Sequence, residues 1–169
     1  MNIFLVGLPG SGKTTIGLQL SGSLGIPFFD TDFLIEENNK TTIKQLFKTK
    51  GEAFFRNEEN QLLQNWDIEQ SVVATGGGMP CDPRNIELMK KNGTLIYLDC
   101  PIEVIISRMT NTEKRKRPKL KEKTETMLLS YLEQLYIERQ PYYNQAHFTI
   151  DSQQSVKEIV ELISKQLLL

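Results

Sequence analysis

The sequence predicts an α/β fold built on a parallel sheet, and three observations lead there. Strand-like apolar runs alternate with helix-like stretches, the order that arises when each strand is joined to the next by a crossover helix. A glycine-rich turn links the first strand to the first helix. The length, 169 residues, suits one domain able to bury about two-thirds of its unfolded surface without a disulfide or metal staple.

The first strand is Ile3 to Val6, an apolar run ended by Gly7. A helix follows from about Lys13, with Ile16, Leu20 and Leu24 on one face and Gly25 as its stop. Pro27 to Asp30 reads as a short second strand, and polar helical segments run from about Thr31 to Trp66. Val72 to Thr75 is a third strand, ended by Gly76-Gly77-Gly78. Asp82 caps a helix that starts with Pro83 and reaches Asn92. Thr94 to Leu98 and Phe148 to Ile150 are the fourth and fifth strands. The last helix opens on a capping box, Ser155 with Glu158, and carries Val156, Ile159, Val160, Ile163 and Leu167 at helical spacing. The stretch Thr110 to Lys123 holds seven cations and reads as a mobile insertion within a single domain spanning 1–169.

Charge narrows the function. Twenty Lys and Arg balance twenty-one Asp and Glu, for a net charge of −1. That is unlike a dedicated nucleic-acid or membrane-surface protein, which carries a positive excess. Cys81 and Cys100 are the two cysteines; they form no disulfide framework and lack partners at metal spacing, so a reducing cytoplasm is expected. No apolar run approaches the length of a membrane span.

Gly7-Leu8-Pro9-Gly10-Ser11-Gly12-Lys13-Thr14 matches G-x-x-x-x-G-K-[ST] in full, with a strand before it and a helix after. Its glycines let successive backbone N–H groups curl around phosphate oxygens, and the helix adds its positive dipole end. Lys13 can reach the β- and γ-phosphates, and the Thr14 hydroxyl is a ligand for Mg²⁺. The nucleotide contacts are therefore expected from Gly10, Ser11, Gly12, Lys13, Thr14 and Thr15.

The acceptor side is less explicit. Asp30-Thr31-Asp32 follows the second strand, where ligands gather in open α/β sheets. One carboxylate can hold a magnesium shell through water while the other meets an acceptor hydroxyl; both can equally be turn or capping residues. Arg56 beside Phe54 and Phe55 can take a carboxylate bidentately, or form an exposed helix salt bridge.

These pieces together resemble the shikimate kinase family. The ordered set is the phosphate loop, Asp30-Thr31-Asp32, Gly51-Glu52 followed by Phe55-Arg56 and Glu58-Glu59, Thr75 to Gly78, Arg117-Pro118, and Arg139 with Pro141 and Tyr143. The resemblance covers nearly the whole chain. It implies a P-loop kinase fold of the nucleoside-monophosphate-kinase type, with a five-stranded parallel sheet in order 2-3-1-4-5. It implies phosphoryl transfer from ATP to the 3-hydroxyl of shikimate, on the route to chorismate and the aromatic amino acids. Arg56, Arg139, Asp32 and the backbone of Gly77 and Gly78 would bind shikimate, in a region of about 31–66 walled by Phe47 and Phe55. Asp30 would hold the magnesium shell with Thr14. Lys13, Asp32 and Arg117 would be catalytic, Arg117 closing from a lid at about 110–123, and Arg108 would lie near the adenine. The chain departs from the family in following Pro118 with Lys119-Leu120.

Two rivals remain: a small P-loop kinase acting on gluconate or a nucleoside monophosphate, and an idle nucleotide-binding regulator. Asp99 could pass for a second metal-site aspartate, and His147, Trp66 and both cysteines read as structural. A monomer is expected.

Overall fold

The computed structural model describes residues 1–109 and 125–168. Five parallel strands form one sheet in the order β2-β3-β1-β4-β5. They are β1 (Asn2–Val6), β2 (Phe28–Asp30), β3 (Val72–Ala74), β4 (Gly93–Asp99) and β5 (Phe148–Asp151). The central strand is buried at every position. Its register sets Phe4 against Val73 on one side and Leu95 on the other. Asp30 pairs with Ala74, and Asp99 with Asp151, so the carboxyl ends of the strands open along one edge.

Alternation along β1 divides the core into two layers. Ile3 and Leu5 face one side, with Ile16 and Leu20 of α1 (Lys13–Leu24) and Ile159, Val160 and Ile163 of the last helix, α7 (Val156–Leu167). Phe4 and Val6 face the other. There they meet Leu63 of α3 (Ile43–Gln64), Ile86 and Met89 of α4 (Pro83–Asn92), and Leu128, Leu132 and Tyr143 of α6 (Glu125–Tyr143). Each fully buried side chain of this kind contributes about 1.5–3 kcal/mol relative to exposure.

The local signals behave as the sequence implies. Gly25 closes α1 in the left-handed conformation, Asp82 caps α4 through the Arg84 N–H, and the Ser155–Glu158 capping box is complete. Trp66 packs edge-on against Phe4 and Phe29. His147 is structural: its Nδ1 accepts from the Leu95 N–H at 2.9 Å while its backbone N–H donates to the Leu95 carbonyl, guiding the chain into β5.

Several details refine the expectation or differ from it. The polar span after β2 is two helices, α2 (Thr31–Asn39) and α3, because Lys40 turns left-handed and Thr42 caps a fresh start. Within α3 the backbone breaks at Gly51, whose φ is +82°. Leu24 is exposed, not part of the α1 core face. Two helices escaped the reading of the sequence: α5 (Ile102–Arg108) and α6. The spacing of Leu128, Leu132 and Leu135, all buried, was a readable sign of the second. The cationic stretch 110–123, with Arg117, lies outside the described residues.

Candidate active site

The phosphate loop lies between β1 and α1 at the carboxyl edge of the sheet. Gly10 and Gly12 adopt φ of +85° and +99°, which side-chain-bearing residues resist. Lys13 is buried, and its ammonium donates to the carbonyls of Gly7 and Leu8, each at 2.9 Å. The Ser11 hydroxyl is buried without a hydrogen-bond partner among the described residues. Thr14 and Thr15 stand exposed at the start of the helix. This is a cradle of donors around an opening, with the cation folded into it.

Asp30 serves two neighbours. Its Oδ1 caps α2 by accepting the Asp32 N–H at 3.0 Å, and its Oδ2 accepts the Thr14 hydroxyl at 3.1 Å. The capping reading and the metal-side reading are thus compatible in one residue. A hydroxyl and a carboxylate side by side are the hard oxygen donors that suit Mg²⁺. Among the described residues no group of three or more His, Cys, Asp or Glu side chains could hold a metal ion. An ion kept largely by phosphates and water fits that donor set.

The glycine turn after β3 brings the acceptor side together. A Cβ on Gly76 would strike the Asp32 carboxylate, one on Gly77 would lie 2.9 Å from Arg139 Nη1, and one on Gly78 would lie 2.6 Å from Arg56 Nη1. The same Gly77 position is 3.5 Å from the Gly7 carbonyl oxygen and from Pro9. Two guanidiniums and the phosphate loop therefore converge on one turn. Beside it opens a cleft of about 520 Å³ lined by Glu52, Arg56, Gly78, Cys81, Asp82, Pro83, Arg84, Glu138 and Arg139.

Arg56 is held from two sides, by Glu59 at 2.7 Å and Glu52 at 2.9 Å. Its guanidinium carbon lies 5.4 Å over the Phe55 ring. Phe55 is buried with Ile35 and Leu46, its ring 5.0 Å from that of Phe47. The pair backs the arginine with a hydrophobic floor. Glu59 is the most perturbed acid here. Burial pushes its carboxyl up to about 7 against the pull of Arg56, and the nearby Asp32 charge pushes the same way.

A family model described as shikimate kinase matches residues 9–168. The shikimate kinase of Bacteroides fragilis is 42% identical over 149 residues, covering 88% of this chain and 83% of that protein. The chain belongs to the shikimate kinase family. Solved structures agree. The shikimate kinase of Bacteroides thetaiotaomicron superposes with a TM-score of 0.93 at 33% identity, covering 100% of this chain and 99% of that one. The Acinetobacter baumannii shikimate kinase in complex with shikimate gives 0.89 at 34%, covering 99% and 92%.

As a shikimate kinase chain, it brings Asp32, Arg56, Gly77, Gly78 and Arg139 to one turn beside Lys13. Arg108, at the end of α5, donates to the Ser152 carbonyl at 2.8 Å and lies 3.6 Å from the Cys100 sulfur. Asp99 accepts the Tyr97 hydroxyl at 2.8 Å, a structural use. Residues with no role in the sequence reading also build the site. Glu59 orients Arg56, the Thr31 hydroxyl accepts the Gly76 N–H at 2.9 Å, and the Tyr143 hydroxyl donates to the Gly77 carbonyl at 2.6 Å. Glu59 and Tyr143 stood inside the quoted motifs, but nothing in a linear sequence says which backbone or cation they face.

Proposed function

We propose that this chain transfers the γ-phosphate of ATP, with Mg²⁺, to the 3-hydroxyl of shikimate, giving 3-phosphoshikimate and ADP. The observation that carries the reading is the approach of two guanidiniums, Arg56 and Arg139, to adjacent glycines of a turn that touches the phosphate loop. Two arginines suit one carboxylate, and the approach to the loop sets that carboxylate's ring near the transferable phosphate.

In this reading Arg56 and Arg139 take the carboxylate. Asp32, against Gly76, meets ring hydroxyls and orients the one that attacks. Lys13 leaves the Gly7 and Leu8 carbonyls to neutralise phosphate charge, and the loop's N–H groups hold the phosphates in line. Thr14 and Asp30 would hold Mg²⁺, Asp30 through water; the ion supplies further neutralisation of the phosphate oxygens. The transition state of such transfers is loose, so positioning and charge account for most of the rate. Arg117 and Arg108 enter as the nucleotide-side cations that the family resemblance implies. We read the chain as one domain acting as a monomer in the cytoplasm without nucleic acid. Supporting observations are the near-neutral charge, the two free cysteines, and the lack of any helix among the described residues long and apolar enough to cross a membrane.

A coupled ADP-release assay with shikimate, gluconate and AMP tests the assignment. Turnover with shikimate alone is expected. Preferential turnover of gluconate or AMP would replace the substrate, and no turnover with any of them would return the chain to a nucleotide-binding role.

A further inference from the structure

We propose that Tyr143 is a positioning residue for the acceptor, fixing the Gly77–Gly78 peptide and the Arg139 guanidinium relative to each other. The inference rests on the reading of this site as the shikimate site.

Four of the six backbone hydrogen-bonding groups of Gly76, Gly77 and Gly78 are taken up by the fold among the described residues. The Gly76 N–H donates to the Thr31 hydroxyl. The Gly76 carbonyl accepts from the Met79 N–H at 3.1 Å and the Gly78 carbonyl from the Cys81 N–H at 3.0 Å. The Gly77 carbonyl takes the Tyr143 hydroxyl at 2.6 Å, its one side-chain partner among the described residues. With the carbonyl of Gly77 anchored inward, the plane of the Gly77–Gly78 peptide is set, and its N–H must point the opposite way. A backbone donor aimed by a single phenol is a place where one hydroxyl controls substrate geometry.

The phenol is itself immobile. Tyr143 is 0% exposed, and its ring stacks at 5.1 Å and 30° on Tyr97, whose own hydroxyl is tied to Asp99. Arg139 lies one helical turn earlier on α6, and its guanidinium stands against the same phenol as well as against Gly77. Burial raises the phenol well above its ordinary range despite that cation, so it remains a donor across the working pH range. One side chain thus touches two of the groups expected to seat the acceptor, without lining the cleft.

The test is Tyr143→Phe, which keeps the ring and removes the hydroxyl. The KM for shikimate is expected to rise about tenfold while the KM for ATP stays within twofold. Tyr97→Phe serves as the comparison: it loses the Asp99 bond, lowers the melting temperature and leaves the shikimate KM unchanged. If Tyr143→Phe lowers the melting temperature but leaves the shikimate KM within twofold of wild type, Tyr143 is only structural and the proposal fails. A second measurement avoids dependence on that variant's folding. 3-Fluorotyrosine placed at position 143 should shift its ¹⁹F resonance on addition of shikimate. No shift at saturation would equally overturn the proposal. Wild-type protein inactive on shikimate overturns the functional reading and this inference with it, whereas an active wild type with an unaffected Tyr143→Phe variant overturns this inference alone.

Discussion

The Thr14 hydroxyl donates to Asp30 Oδ2 at 3.1 Å, joining the first turn of α1 to the end of β2. The two residues are 16 apart in sequence, at opposite ends of the segment that runs from α1 into β2. They meet because β2 and β1 both run in the same direction and flank β3, so their carboxyl ends share an edge.

That contact makes Asp30→Asn informative. Asparagine caps helices about as well as aspartate, so α2 should start at the same place with little loss of stability. The charge that would hold a magnesium shell disappears. The apparent KM for Mg²⁺ should rise about tenfold or more, with the shikimate KM within twofold of wild type. Initial rates across a MgCl₂ titration at fixed ATP read this directly, and an unchanged Mg²⁺ requirement would remove Asp30 from the metal side.

Lys13→Ala should leave the fold intact and reduce turnover by at least about 10²–10³-fold, the usual loss when one preorganised charge partner is removed from a transition state. Lys13 bonds to two loop carbonyls and takes no part in the two hydrophobic layers, so its removal frees those carbonyls but leaves the core packing in place. Circular dichroism should overlay wild type while steady-state turnover collapses. Retained turnover in a folded variant would sink the phosphate-loop assignment.

The fold was largely legible because its determinants are local and periodic. The continuous apolar run of β1, the glycine stop at Gly25 and the Ser155–Glu158 box each act within a few residues. The phosphate loop was legible for the same reason, since eight consecutive residues make it. The support around Arg56 and Gly77 was not. Glu59 faces Arg56 from three residues away, but what raises its proton affinity is burial and Asp32, 27 positions earlier in the chain. Tyr143 acts on a carbonyl 66 residues away. Such roles are set by packing, which a sequence pattern does not encode. The helix α6 was missed because its polar residues spread around the whole helix and a basic stretch precedes it, although its leucine spacing was present.

Gly78→Ala isolates close approach from stability. A Cβ there would sit 2.6 and 2.7 Å from the two terminal nitrogens of Arg56. Gly78 itself has φ of −94°, which alanine tolerates. The guanidinium is the far end of a long side chain and can swing aside at the cost of its pairing with Glu59, so the fold should be kept with a melting temperature lower by a few degrees. The displaced arginine leaves its place for the carboxylate. Shikimate affinity by calorimetry should fall by about 2 kcal/mol or more, as when a buried charged partner is lost, with nucleotide affinity unaffected. Equal shikimate affinity would mean that Arg56 does not take the carboxylate from beside this turn.

Glu59→Gln tests the buried acid through pH. In the folded protein burial lifts the Glu59 carboxyl from 4.5 to about 7, against the attraction of Arg56. A folded-state value above the unfolded one means that the folded protein binds the proton more tightly. The stabilisation from this group is therefore fully present below about pH 4.5 and is lost as pH rises through about 7. Glutamine is uncharged at every pH and can still accept a hydrogen bond from Arg56. At pH 5 wild type and variant should melt within a degree or two of each other, since both are neutral at this position. At pH 8 wild type carries a buried carboxylate among Asp32 and the acids around Arg56, and the variant should melt higher. The difference in melting temperature, variant minus wild type, should grow steadily between those limits. Thermal melts at half-unit pH intervals check it. Parallel curves would mean that Glu59 is ionised throughout, its charge fully matched by Arg56 and Arg139, and that the acid contributes orientation without titrating.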